Sequence, residues 1–174
     1  MTKRAAASAI DPQTLPLTHL AFFVGSFANR QLVAEMKRAG YGDLREPHGY
    51  LFQHLLGGPR SVGQLSKLLG VTQQAVSKTA AELTRGGYLD TVAGDDARVR
   101  LLCLSARGHA AVVAARRLRD KLERRLSAKL GEKRARALRA ALVELLAELN
   151  GTASVQARRV LPPDAEPRAQ GADD

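Results

Sequence analysis

The chain has 174 residues, 45% of them hydrophobic and 25% charged, with a formal net charge of +10. That length suits one domain with loose ends, and the basic excess points to an anionic partner, nucleic acid before a membrane surface. A single cysteine, Cys103, excludes an internal disulfide, and no apolar run approaches the roughly 18–20 residues of a transmembrane helix. The opening MTKRAAASAIDPQTLP lacks the apolar stretch of a signal peptide, so a cytoplasmic protein is expected. Aromatic residues make up only 4% and tryptophan is absent. The core must then be built of Leu, Val and Ala, which favours helices.

Residues 1–15 read as a flexible arm, and 16–150 as one helical domain. The first helix spans 16–39, opened by Pro16, with Leu17, Leu20, Ala21, Val24, Ala28 and Leu32 at helical spacing and Gly40 and Gly42 behind it. A second, 47–56, stops at Gly57-Gly58-Pro59. Ser61 followed by Gln64 is a capping-box pattern that starts a short helix with an apolar stripe of Val62, Leu65, Leu68 and Leu69, closed by Gly70. Thr72 fits the N-cap of the next helix, 73–86, whose Val76, Ala80 and Leu83 turn inward. Two β-type runs, 88–92 and 98–104, flank the turn-forming residues 93–97. A long helix follows from 105 to about 130, with Val112, Leu118, Leu122 and Leu126 along one side. Gly131 interrupts it, and a last helix, 132–149, carries Leu138, Leu142, Leu145 and Leu149. From 151 to 174 the chain is rich in Pro, Ala and charge and reads as a disordered tail. The fold class expected is mainly α with a small β-hairpin wing: a winged helix-turn-helix flanked by long helices.

Two capped helices joined by a short turn form a helix-turn-helix, and a hairpin directly behind the second is a wing. The second helix presents Gln73, Gln74, Ser77 and Lys78 on a face away from its core residues. Amides suit adenine, Ser a base or phosphate, and Lys guanine or phosphate. Ser61 and Thr72 stand at helix N-termini, where free N–H groups and the positive dipole end attract phosphate. On the wing, Arg98 and Arg100 alternate with Val99 and Leu101, and Asp96 stands two residues before Arg98, close enough to orient its guanidinium toward a minor groove. The same residues also fit an ordinary solvated helix pair and a surface salt bridge. The basic excess lies elsewhere: residues 105–140 hold twelve basic and three acidic residues, residues 61–104 five and four.

The run SVGQLSKLLGVTQQAVSKTAAELTRGGYL, then GDDARVRLLCLSARG, resembles the MarR family of bacterial transcriptional regulators, and the likeness extends over residues 17–149. The Asp96-x-Arg98 wing and the LSARG entry to a long helix are its more specific parts; Gly94, Asp95 and Ala97 stand where the family wing usually has Pro and more Arg. The resemblance implies base contacts by Gln73, Gln74, Ser77 and Lys78, a wing contact by Arg98, and a DNA-reading part at 47–104. It also implies a homodimer joined through helices 16–39 and 106–149, which would read an inverted-repeat operator in double-stranded DNA. A terminal helical region unable to bury its own leucines supports the dimer independently; packing of the terminal helices within one chain is the alternative.

The resemblance further implies a repressor released by a small anionic aromatic ligand held between the dimer helices and the reading part. His19, Phe23, His48 and Phe52, with Phe22 and Tyr50 nearby, are the candidates to line such a site, His19 facing a carboxylate; residues of these types are more often plain core. The four histidines, His19, His48, His54 and His109, show no helical ligand spacing, so no metal is expected. Cys103, between Leu102 and Leu104, reads as a structural thiol. With no phosphate loop, nucleophile elbow or HExxH, no cofactor and no enzymatic activity are expected. The competing function is a helical dimeric protein-interaction module whose degenerate winged helix no longer reads DNA.

Overall fold

A computed structural model describes residues 10–94 and 99–158. Among them are seven α-helices and one two-stranded sheet: α1 (Leu17–Arg38), α2 (Glu46–Leu55), α3 (Val62–Leu69), α4 (Gln73–Arg85), β1 (Leu89–Ala93), β2 (Arg100–Leu104), α5 (Ala106–Leu130), α6 (Glu132–Glu148) and α7 (Thr152–Gln156). The chain is mainly helical with a hairpin wing, as its patterning predicts. None of the described helices is long and apolar enough to cross a membrane.

The helix-turn-helix is set by local chemistry. Ser61 Oγ accepts from the Gln64 N–H at 3.2 Å while Gln64 Oε1 accepts from the Ser61 N–H at 2.8 Å, so both halves of the capping box form. Gly70 ends α3 in the left-handed region at φ 71°, a conformation that costs a residue with a Cβ about 1 kcal/mol. Thr72 Oγ1 then accepts from the Ala75 N–H at 3.2 Å and starts α4. Each such side-chain cap contributes about 1 kcal/mol.

Leu65, Leu69, Val76, Ala80 and Leu83 meet Leu51, Phe52 and Leu55 of α2, Tyr88 and Leu89, Leu102 and Leu104, and Ala111 and Val112 of α5 in one buried cluster. The core is therefore the winged-helix part. β1 and β2 pair antiparallel, with Leu89 opposite Leu104 and Ala93 opposite Arg100. Arg60 joins them with reciprocal backbone bonds to Leu102 of 3.0 and 2.8 Å, a third rung that ties the entry to α3 to the wing base.

The wing strand is oriented differently from its reading in the sequence. Leu102 and Leu104 are buried, so the inward side of β2 is the side that carries Arg100. Arg100 is nonetheless exposed, because the strand runs out beyond the core at that point. The arm and tail also hold more order than their composition suggests. Asp11 Oδ1 caps a 3-10 turn at Pro12–Thr14, and α7 lies within the stretch read as disordered.

The LSARG segment is explained by one close approach. Ser105 caps α5 by accepting from the Gly108 N–H at 3.0 Å and donates its hydroxyl to the Gly87 carbonyl at 2.6 Å. Its own N–H bonds the Tyr88 carbonyl, which lies 2.2 Å from where a Cβ on Gly108 would be. Gly108→Ala must push α5 away from this rigid backbone group. We expect a loss of about 2–3 kcal/mol, which at a fixed protein concentration lowers the thermal midpoint by roughly 4–10 °C in calorimetry. An unchanged midpoint would show that α5 does not dock in this way.

The outer helices stay uncovered. α1 and α6 each pack on α5. Met36 is the buried residue of α1, and α6 has none. Leu17, Leu20, Phe22, Phe23, Val24 and Phe27 of α1, Leu138, Leu142, Val143 and Leu145 of α6, and Leu149 at its C-cap are all exposed. The apolar stripe of the first helix is therefore exposed at Leu17, Leu20 and Val24 and half-buried at Ala28 and Leu32 in the single chain.

Candidate nucleic-acid interface

α4 divides cleanly. Val76, Ala80 and Leu83 are buried, while Thr72, Gln73, Gln74, Ser77, Lys78 and Ala81 are exposed. At 100° per residue, 74, 77, 78 and 81 form one continuous stripe from the first turn into the third. Gln73 Nε2 and Ser61 Oγ each lie 3.9 Å from the point a Cβ on Gly63 would occupy, so the starts of α3 and α4 meet at one end of the motif. Ser61, Thr72 and Gln73 are thus brought together, with two helix N-termini beside them. Arg100 stands apart on the wing. Asp96 and Arg98 lie outside the described residues.

Glu82, on the third turn of α4, would repel phosphate if it were free. It is instead partly buried and paired with Arg45 from the N-terminus of α2, and His48 Nε2 lies 4.0 Å from it. The buried His48 ring accepts the Arg45 N–H through Nδ1 at 3.1 Å, which requires an unprotonated Nδ1. Burial, and then the Arg45 charge, hold its pKa below the ordinary histidine value. His48 is therefore a neutral structural group and carries no charge to a ligand at neutral pH.

A cavity of about 500 Å³ lies between α1, α2, α5 and α7. Met36, His48, Phe52 and Val112 give it apolar and aromatic wall, and Arg45, Arg116 and Arg119 bring positive charge. Of the residues singled out for a ligand, His48 and Phe52 line this space. His19 and Phe23 do not: both are exposed on the opening turns of α1, Phe23 stacked edge-on against Phe22 with 5.6 Å between ring centroids.

Residues 43–98 match the family model described as MarR family. The matched stretch is the winged-helix segment, and it resembles the MarR family there. A comparison with curated protein sequences finds no match. Among solved structures, MepR, a transcription regulator of the Staphylococcus aureus multidrug efflux pump MepA, aligns with a TM-score of 0.64 at 18% identity, covering 78% of this chain and 99% of that one. A mutant of S. aureus MepR bound to an oligodeoxyribonucleotide aligns at 0.58 and 19%, with the same coverage. Wild-type MarR from E. coli, in its apo form, aligns at 0.59 and 20%, covering 76% of this chain and 97% of that one. These likenesses establish a MarR-like winged-helix fold.

Within this MarR-like fold, several interacting residues carry no sequence signal. Tyr88 donates to Asp43 Oδ1 at 2.5 Å and accepts from Arg107 at 3.1 Å, and the Arg107 guanidinium lies 4.7 Å from the ring centroid. Burial and the bond to Asp43 raise the Tyr88 pKa, so the hydroxyl stays protonated and fastens α5 to the loop before α2. Arg45 and Glu82 are 37 residues apart, and neither has a pattern that announces the other. Among the described residues no group of three or more His, Cys, Asp or Glu is placed to hold a metal ion. Cys103 is partly buried, its thiol 3.6 Å from the Asp90 carbonyl.

Proposed function

We propose that this MarR-like protein is a homodimeric, sequence-specific regulator of transcription that reads an inverted repeat in double-stranded DNA and acts as a repressor released by a small anionic aromatic ligand. The observation that carries this reading is the exposed Gln74-Ser77-Lys78 stripe on a capped helix whose opposite face is locked in the core. Such a helix can enter a major groove without giving up any packing. Ser61, Thr72 and Gln73 at the paired helix N-termini suit the flanking phosphates, and Arg98 and Arg100, with Asp96 orienting Arg98, suit the adjacent groove. The DNA-bound MepR relative supports the same use of the fold. The uncovered apolar faces of α1 and α6 support the dimer. A cavity that combines Phe52 and Met36 with three arginines supports an anionic aromatic ligand. The twelve basic residues of 105–140 add a long-range field that draws DNA in.

Selection of bound duplexes from a random-fragment pool tests the proposal. The enriched sequences should contain inverted repeats with half-sites about one helical turn, roughly 34 Å, apart. Affinity for them should fall steeply with salt and exceed that for random DNA by about 10³-fold or more. Recovery of no common sequence, with equal binding to all duplexes, would leave the interaction-module reading in its place.

A further inference from the structure

We propose that the outer face of α5 is a second DNA-binding surface, on which Arg117, Lys121 and Arg124 hold the phosphate backbone of another duplex, so that one protein bridges two DNA segments. Such a surface is distinct from the stripe on α4 and carries no sequence preference of its own.

The charge is misplaced for a protein that meets DNA only through its helix-turn-helix and wing. Residues 61–104 carry five basic and four acidic residues, whereas 105–140 carry twelve and three. Part of that excess is used internally: Arg139 pairs with Glu123, Arg136 with Glu132, and Arg125 donates to Gln31 of α1. Arg117, Lys121 and Arg124 are exposed and form no ion pair among the described residues. At i, i+4 and i+7 they make one stripe, roughly 160° round the helix from Ala111 and Val112, the residues by which α5 enters the core. Arg125 and Glu123, which reach α1 and α6, lie on its two flanks. Val112 is the last buried residue of α5, and the stripe runs from about 8 to about 18 Å beyond it along the helix. Asp120 edges the stripe without cancelling it.

Two arguments select the occupant. Val76, Ala80 and Leu83 of α4 and Ala111 and Val112 of α5 belong to the same buried cluster, so the outer stripes of the two helices both point away from a shared core. A duplex seated on Gln74, Ser77 and Lys78 would have to bend round that core to reach α5, and DNA is stiff, with a persistence length of about 150 base pairs. The stripe therefore fits a separate duplex. A second copy of this chain suits it poorly, because a two-fold contact would set its cations against their own copies. Long side chains rising about 6 and 4.5 Å apart along the helix are able to follow successive phosphates on a strand.

The probes are two short duplexes of unrelated random sequence, one carrying a fluorescence donor and the other an acceptor, mixed with the full chain at about 50 mM salt, where phosphate contacts are little screened. Energy transfer reports two duplexes on one particle, and anisotropy reports the first. The parent should give transfer, and the affinity for the second duplex should fall with salt at a logarithmic slope of about 2–3, as three phosphate contacts require. The variant Arg117→Gln, Lys121→Gln, Arg124→Gln keeps helix propensity on an exposed face. It should weaken the second duplex more than about tenfold, and the first by at most about threefold through lost long-range attraction. Sedimentation without DNA should match the parent. A parent that never holds two duplexes overturns the proposal. So does transfer that survives in the variant, which would come from duplexes held separately on two reading heads. Equal loss of both duplexes would put the stripe on the same DNA as α4, and an altered oligomeric state would put it in a self-contact; either result also refutes a second surface. None of these outcomes bears on which sequence α4 selects, so the two readings fail separately.

Discussion

Leu142→Glu should convert the protein to monomers in sedimentation and reduce its affinity for an inverted-repeat duplex by about 10²–10⁴-fold. Leu138, Leu142, Leu145 and Leu149 recur on α6 at spacings of four, three and four, the seam of a helix that packs against another. Leu142 is 44% exposed and Leu149 70% exposed in the single chain, and Leu17, Val24 and Phe27 of α1 are each more than half exposed. So much apolar surface on two helices marks an interaction face, which the proposed second copy would cover. A two-fold interface brings in the substitution twice, and each buried, unpaired carboxylate costs about 3–5 kcal/mol. The winged-helix core does not touch Leu142, so circular dichroism should show unchanged helix content. The loss of DNA affinity follows from separating two half-sites that were linked. A Leu142→Glu protein that still sediments as a dimer would place the interface elsewhere.

The same helices show what a sequence displays and what it hides. Capping chemistry is local, so Ser61 with Gln64, Thr72 with Ala75 and the left-handed Gly70 act as their spacing indicates. The inward faces of α3 and α4 are legible for the same reason. Periodicity reveals that Leu17, Leu20 and Val24 share a face, but not whether its cover comes from the same chain; here the single chain leaves it bare. The side of β2 that carries Arg100 could not be read from alternation alone, because Leu101 to Leu104 are all apolar and only the burial of Leu102 and Leu104 fixes the phase.

Through-space pairs are invisible for a different reason. Arg45 with Glu82, Asp43 with Tyr88 and Arg107, and Arg60 with Leu102 join segments whose neighbourhood is a product of the whole fold. His48 and Phe52 reach the cavity because α2 crosses α5, while Phe23, equally aromatic, sits on turns of α1 that lie away from it. The tail is a case of composition outweighing a short signal. Pro, Ala and charge dominate 151–174, yet Asn150-Gly151 marks a reversal, and α7 follows it directly.

Gln74→Ala and Ser77→Ala should each weaken binding to the selected operator by about 1–3 kcal/mol per half-site, with little change on random DNA. Both side chains are exposed on α4 and make no hydrogen bond among the described residues, whereas Thr72 Oγ1 is already engaged as a cap. Their polar atoms are therefore available to base edges. Alanine favours the helix more than Gln or Ser, so neither change weakens α4 itself, and lost affinity reports lost contact. Lys78→Ala supplies the contrast. A lysine bound to phosphate adds charge neutralisation without sequence information, so its loss should weaken operator and random duplex alike and lower the salt slope by about one unit per contact, two in a dimer. Measured across a salt series, the three substitutions sort by kind: Gln74 and Ser77 change the intercept on the operator alone, Lys78 the slope on both DNAs. If Gln74→Ala and Ser77→Ala reduce binding equally on operator and random DNA, these side chains touch only the backbone, and the bases must be read from another part of the fold.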